Sequence, residues 1–345
     1  MPVTFKTQGH FSQSENTMKH CLVTGCSGFI GNRIAAALVS RGLPVRGLSR
    51  QKQAARDTAP VETVQGDLTR PATLQGCLHD IDTVFHAAGH AHSYAGNDDL
   101  HRITTVEGTR NLLAECRQHG IQRFVFISSV KAMAEPGDAC LDETSTGTPD
   151  DSYGQSRLQA ERLVLEYGQQ TGMHVSILRP TLVYGPGCKG NLASLLRWID
   201  KGWFPPLAEN GNRRSMVDVR DVVEATLRAA DRDSASGKTC ILTDGEDYST
   251  HRILTAMRRA LGKSDPGVFV PPGLLHALAR CGDGFETLFR RRALYNSAMH
   301  TRLLGSACYR SVETEPALGF HPRYRLEDAL PDMVSAYRQG RREQR

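Results

Sequence analysis

The 345-residue chain is poor in aromatics, at 6%, and contains no uninterrupted apolar run of about 18 residues, so no membrane-spanning helix is expected. Gly 32 and Pro 16 are ordinary totals, which excludes collagen-like and low-complexity classes. No internal repeat is visible. Charge of one sign is also lacking: 42 Lys and Arg against 37 Asp and Glu leave +5, weak support for an anionic ligand and poor support for nucleic acid. The N-terminal 18 residues have no apolar segment of the secretory type and read as a mobile polar tail. Nine cysteines, an odd number, include no C-x-x-C pair. They read as free, mostly buried thiols of a cytoplasmic protein.

What is present is 39% apolar residues, enough for a substantial core, and an alternating pattern. Short apolar runs at residues 20–24, 45–50, 61–65, 82–88, 123–129 and 174–180 read as strands. Helical spacing marks 31–41, 71–79, 98–119 and 152–171. Such alternation indicates βαβ units and hence an α/β, Rossmann-type doubly wound parallel sheet. The dinucleotide-binding unit is expected over 19–186, with its sheet completed by 215–245. Residues 187–214 and 246–345 are expected to form a smaller C-terminal substrate-binding domain. There, 215–219 and 239–243 read as strands, and 191–201, 220–230, 250–261 and 326–338 as helices.

The first strand runs into Gly25-Cys26-Ser27-Gly28-Phe29-Ile30-Gly31 and then a helix. In this G-x-x-G-x-x-G spacing Gly25 permits a tight turn. Gly28 lets backbone N–H groups approach a pyrophosphate at the helix N-terminus, and Gly31 lets helix pack on strand. The second strand ends at Arg50 with no carboxylate before Asp57. An acidic residue there would bind a ribose 2′-hydroxyl, whereas Arg50 can fork onto a 2′-phosphate. Both NADP and NAD stay open, with NADP favoured.

Thr24-Gly25-x-x-Gly28-x-x-Gly31, Gly66-Asp67-Leu68, His86-Ala87-Ala88-Gly89, Ile127-Ser128-Ser129, Tyr153-x-x-x-Arg157 and Leu178-Arg179-Pro180 follow one another in this order. With them the chain resembles the extended short-chain dehydrogenase/reductase family, NAD-dependent epimerase/dehydratase type, over about residues 19–340. Residues 182–192 and 212–215 are similar to segments of its nucleotide-sugar epimerases and reductases. The resemblance implies a cofactor site at Gly25, Ser27, Gly28, Phe29, Ile30, Gly31, Arg50, Asp67, Leu68, Ala87, Ala88, Gly89, Tyr153, Arg157 and Pro180. It implies catalysis by Ser129, Tyr153 and Arg157, with Ser128 as a second candidate for the substrate-facing hydroxyl. It also implies a homodimer through helices 98–119 and 152–171, where Leu112, Leu113, Leu158, Leu163 and Val164 supply apolar stripes.

The chemistry follows from residue types. A tyrosine titrates near pH 10, so it serves as a base at neutral pH only where its phenolate is stabilised. Residue 157 lies one helical turn from Tyr153, on the same face. The family pattern has Lys there; Arg157 keeps the charge but does not readily relay a proton, and altered activity is expected. Asn191 and Arg214 are the best substrate-side candidates, one at a helix opening and one able to clamp a diphosphate, with Lys189 and Arg213 secondary. The His86, His90 and His92 cluster does not read as a metal site, because no carboxylate or cysteine stands beside it at ligand spacing. The run Arg290-Arg291-Arg292 after apolar 274–278 reads as a solvated basic face, with a membrane-surface patch as the other reading.

The function expected is a nucleotide-sugar 4-epimerase working through a transient keto-sugar. An NADPH-dependent keto-sugar reductase is the alternative, and a low-turnover dinucleotide-binding regulator the reading from another class. Dehydration is disfavoured because Val130 and Lys131, not an acidic pair, follow Ser129.

Overall fold

β1 (Cys21–Thr24), α1 (Phe29–Ser40), β2 (Val45–Ser49), β3 (Glu62–Gln65) and β4 (Thr83–His86) open the chain in the computed structural model, which describes residues 18–51, 61–89, 98–264, 269–289 and 296–343. A long helix follows in three parts: α2 (Asp98–His101), a π-helical segment Arg102–Glu107, and α3 (Gly108–Gln118). Then come β5 (Arg123–Ile127), β6 (Cys140–Leu141), α4 (Ser152–Thr171), β7 (His174–Pro180), β8 (Leu182–Tyr184), α5 (Asn191–Asp200), β9 (Met216–Asp218), α6 (Val219–Asp231) and β10 (Lys238–Leu242). The C-terminal part holds α7 (Thr250–Ala260), α8 (Pro272–Phe289), α9 (Ser297–Leu304), β11 (Cys308–Tyr309), α10 (Thr314–Leu318) and α11 (Leu326–Glu343).

Seven strands pair in the order β10-β7-β5-β4-β1-β2-β3, every pair parallel. β1 and β4 are buried along their whole length. That is what a parallel sheet covered on both faces requires. One face carries α1 and α6, through Ile34, Leu38, Val222 and Leu227. The other carries α3 and α4, through Leu112, Leu113, Ala160 and Val164. The direction of winding reverses between β1 and β4, and this opens a crevice at the carboxyl ends of the strands. A third apolar cluster joins α5, α7 and α11 around Tyr184, Met257 and Leu330.

The structure corrects several expectations. Residues 71–79 form only a 3-10 turn at Pro71–Thr73 and further turns, since Gly76 sits at φ +78° and Asp80 at φ +60°. Of 215–245, only β10 extends the main sheet; β9 pairs with β8 in a separate two-stranded sheet. Leu112, Leu113 and Val164 lie in the core beneath the sheet, so they supply no outward stripe for a dimer. On α2 and the π segment, Leu100 and Ile103 are the exposed apolar residues. Nor are all nine cysteines free: Cys140 and Cys308 form a disulfide between the register partners of β6 and β11. The other seven are thiols. His90, His92, Asp57 and Arg290-Arg291-Arg292 lie outside the described residues. No described helix is long and apolar enough to cross a membrane.

Candidate active site

The crevice begins at the β1–α1 turn. Gly25 has φ +67°, and a side chain on it would meet the Ala88 backbone N at 2.8 Å. A side chain on Gly31 would strike the Gly25 carbonyl oxygen. The turn closes through the Gly28 N–H donating to Gly25 O at 2.8 Å. No side chain caps α1, so the amides of its first residues, Phe29 and Ile30, have no side-chain acceptor. An uncapped helix start behind three crowded glycines suits a pyrophosphate. Arg33, not anticipated from the sequence, stacks on the Phe29 ring at 4.4 Å and donates to Pro186 O, tying α1 to the loop after β8.

Arg50 is exposed at the end of β2. Beyond β3, burial raises the Asp67 carboxyl, but the Thr69 N–H and hydroxyl and the charges of Arg50 and Arg70 hold it below its ordinary range. Leu68 is buried, and its carbonyl accepts from Asn111 at 2.8 Å.

At the end of β4, His86 is wholly buried between Thr24 Oγ1 (2.7 Å from Nδ1) and Thr109 Oγ1 (3.0 Å from Nε2). Burial, and then the charge of Arg157, lower its pKa to about 3, so the ring is neutral. Thr24 Oγ1 also accepts from the Ala88 N–H at 3.2 Å. His86 therefore holds β1, β4 and α3 together behind Ala87, Ala88 and Gly89.

Gly89 touches Arg157, whose guanidinium would strike any side chain placed there. Arg157 is 4% exposed. Its Nη1 donates to Ile127 O at 3.1 Å, and its guanidinium carbon lies 5.2 Å from the Tyr153 ring centre and 5.8 Å from that of Phe126. Its buried Nε has no protein acceptor. The half-buried Tyr153 opens α4, where Asp151 caps the helix by accepting from the Gly154 N–H at 2.7 Å. The His101 ring meets it edge-on at 5.6 Å.

Gly154 decides how this turn meets its neighbour, because a side chain there would overlap the Lys131 carbonyl oxygen. Without one, α4 rests against the 3-10 turn Val130–Ala132, which Ser129 caps by accepting from the Lys131 N–H at 3.2 Å. Ser129, Tyr153 and Arg157 thus share one packed unit at the end of β5.

The hydroxyl of Ser128 faces elsewhere. It is buried and donates to Glu161 Oε1 at 2.5 Å, while Arg179 grips the same carboxylate through Nε at 3.0 Å and Nη2 at 2.6 Å. The hydroxyl expected to face the substrate is thus engaged within the protein by Glu161. The sequence carried a signal: Tyr153, Arg157 and Glu161 follow at spacings of four on one helix face.

Pro180 lies buried at the carboxyl end of β7, beside Leu242. On the other side, Asn191 is exposed at the start of α5, after Gly190 at φ +76°. Arg214 sits on an extended segment whose backbone pairs with Tyr248, at 2.9 and 3.0 Å. Arg213 Nη2 is bound to Asp138 O at 2.8 Å, and Asn212 is locked onto Thr250.

The family model of the NAD dependent epimerase/dehydratase family matches residues 21–242. The chain belongs to that family. It is 28% identical over 329 residues to a UDP-glucose 4-epimerase of Vibrio cholerae, covering 93% of this chain and 96% of that one. It is 25% identical over 311 residues to an N-acetyl-alpha-D-glucosaminyl-diphospho-ditrans,octacis-undecaprenol 4-epimerase of Escherichia coli O157:H7, covering 90% and 92%. Its fold matches the crystal structure of a Thermus thermophilus UDP-glucose 4-epimerase in complex with NAD at TM-score 0.71, with 24% identity and coverage of 92% and 99%. The chain is thus an enzyme of the NAD dependent epimerase/dehydratase family, with a Rossmann-type sheet. Among the described residues the groups that suit a dinucleotide in this family member are the β1–α1 glycines, the uncapped start of α1, and Gly89 with the orphaned Nε of Arg157.

Proposed function

We propose that the enzyme is a nucleotide-sugar 4-epimerase that works through a transient keto-sugar. The observation that carries this reading is the Arg157 guanidinium, buried between Gly89 and the Tyr153 ring. A fixed cation against the phenol favours the phenolate, which takes the proton of the sugar hydroxyl and later returns it. Ser129 donates a hydrogen bond to the sugar oxygen that becomes the carbonyl and so fixes its position. Asn191 and Arg214 hold the diphosphate, and Arg214 is suited to bidentate contact. Gly25, Ser27, Gly28, Phe29, Ile30, Gly31, Arg50, Asp67, Leu68, Ala87, Ala88, Gly89 and Pro180 would line the dinucleotide. When bound, that cofactor supplies the hydride acceptor and donor for the sugar carbon.

Support for a 4-epimerase comes from the two relatives so named, which are matched over nearly their whole length. One observation favours the keto-sugar reductase as a second reading. Arg50, an exposed cation, ends β2 where no carboxylate stands, which suits NADP over NAD.

Steady-state kinetics with UDP-hexoses and 4-keto sugar nucleotides test the proposal. Tyr153→Phe is expected to lose about 10²–10⁴-fold in turnover, the usual contribution of a general acid–base group, while dinucleotide affinity stays nearly unchanged. Retention of more than about a tenth of the turnover would overturn the role of Tyr153. Activity on 4-keto sugars with NADPH, and none on UDP-hexoses, would select the reductase.

A further inference from the structure

Between β8 and α5 the chain runs through a glycine-rich strap, Gly185-Pro186-Gly187-Cys188-Lys189-Gly190. It leaves the fully buried Tyr184 and ends at Gly190, the N-cap residue of α5, directly before Asn191. Gly187 has φ +73°, and Lys189 and Gly190 are exposed. Glycine admits many backbone conformations, so a strap of this composition needs a hold from outside.

That hold comes from the first turn of α1. Gly185 passes between α6 and this turn, because a side chain there would meet Val219 Cγ1 at 2.6 Å and the Phe29 ring at 3.8 Å. One residue on, the Pro186 carbonyl accepts a hydrogen bond from Arg33 Nη2. A side chain on Gly187 would lie 3.7 Å from the same nitrogen, so the guanidinium flanks that residue as well. The guanidinium is itself fixed on α1. Its Nη1 donates to Phe29 O at 2.8 Å, and its carbon stands 4.4 Å from the centre of the Phe29 ring.

The remaining hydrogen bonds of the strap are local. The Cys188 N–H donates to Gly185 O at 3.1 Å, and Ser194 in α5 returns its N–H to Gly190 O at 3.0 Å. Among the described residues, the bond that ties 186–190 to an element other than α5 is the one from Arg33. Burial lowers the pKa of Arg33 and the charge of the buried Asp218 opposes this, so the group remains a cation.

We infer that Arg33 is a positioning residue for the substrate: it pins the strap to α1 and so sets the start of α5, where Asn191 receives the diphosphate of a nucleotide sugar. The inference rests on the reading of Asn191 as a substrate contact. The turn from Phe29 to Arg33 then serves two ligands. Its backbone start suits the dinucleotide pyrophosphate, and its side chains fix the strap on the substrate side. Arginine is suited to this because its separate nitrogens reach the carbonyls of residues 29 and 186 together, whereas a lysine presents a single nitrogen.

A lysine-specific protease reads the strap directly, since Lys189 is exposed on it and Lys263, beyond α7, is an internal reference. In the full chain, Arg33→Ala should speed cleavage after Lys189 by about tenfold relative to Lys263. Cleavage follows the open population, and a hydrogen bond from a charged donor shifts such an equilibrium by about 10–100-fold. Calorimetric titration should show UDP bound about tenfold more weakly, with the affinity for NAD or NADP nearly unchanged. Arg33→Lys keeps the charge and should fall between the two, and it carries the same comparison if the alanine variant does not fold. Alanine is favourable inside a helix, so α1 should persist, and the thermal midpoint checks this. Unchanged cleavage after Lys189 in Arg33→Ala overturns the inference, as does faster cleavage with unchanged UDP affinity. An equal loss of UDP and dinucleotide affinity also overturns it, because Arg33 then supports α1 as a whole. If the wild type binds no UDP while cleavage behaves as expected, the nucleotide-sugar reading fails and the hold of Arg33 on the strap stands.

Discussion

Reducing the Cys140–Cys308 disulfide should destabilise the enzyme by an amount set by the unfolded chain. The bond closes a loop with a sequence separation of 168. Chain-entropy theory gives about 17 cal/mol/K for a loop of that size, or about 5 kcal/mol at 25 °C. This is a ceiling, because any structure left in the denatured chain lowers it. The native side should change little, since the two strands are held by other bonds. Arg310 N donates to Leu141 O at 2.8 Å, and the Glu143 carboxylate accepts from Val312 N at 2.9 Å and Ile241 N at 2.7 Å. With an unfolding entropy of about 2.1 cal/mol/K per residue, 5 kcal/mol corresponds to a midpoint shift of about 7 °C. The assay is thermal and urea unfolding of the wild type with and without dithiothreitol, beside Cys140→Ser/Cys308→Ser. Reduced wild type and the double variant should coincide below the oxidised form and show the larger urea dependence. Thiol titration of the unfolded, unreduced chain should find seven thiols, the number left free. Nine thiols, or identical midpoints with and without reductant, would refute the reasoning.

Three further outcomes follow from the crevice. Arg157→Lys keeps the charge but vacates the Ile127 carbonyl; if Arg157 limits proton transfer, turnover rises about 10²-fold, and an unchanged rate removes that idea. Arg50→Ala should cost NADP about 10–100-fold in affinity by calorimetry and leave NAD nearly unaffected, as expected for one charge-assisted contact; an unchanged ratio would show that Arg50 does not read the phosphate. His86 has a folded-state pKa near 3, below its unfolded value, so its stabilisation is complete above about pH 6.5 and is lost as pH falls toward 3, by about 1.4 kcal/mol per unit. Urea midpoints from pH 7 to 4 should fall less steeply in His86→Gln than in the wild type.

How far the sequence alone reached depended on the range of each interaction. The β1–α1 turn and the Tyr153–Arg157 pair were readable because glycine spacing and the 3.6-residue turn are local rules. The partner of Glu161 was not readable, since Arg179 lies on β7 and reaches α4 only through the sheet order. The two-residue strands β6 and β11 are too short to show a period, so no pattern announced the bond between Cys140 and Cys308. Helix α8 was obscured by Gly273, Gly282 and Gly284, which dilute its helical signal and are tolerated because it packs on α9. Leu112, Leu113 and Val164 had the right spacing but the wrong assumed direction. Periodicity gives a stripe, and only the sheet beneath shows which surface the stripe covers.

The π-helical segment Arg102–Glu107 acts as an angular offset within a rod. Each residue of an α-helix turns the chain by about 100°, so one residue more or less between two helical stretches re-aims everything on one side of it. Here α3 is anchored by Thr109 to His86, while α2 brings His101 against Tyr153. Deleting a single residue from 102–107 would straighten the ladder, yet swing His101 off the tyrosine and carry Leu100 around the barrel of the helix. Insertions and deletions here are therefore rotations rather than changes of length. Grafts from relatives should keep the residue count between His101 and Thr109 before they keep any side chain in between.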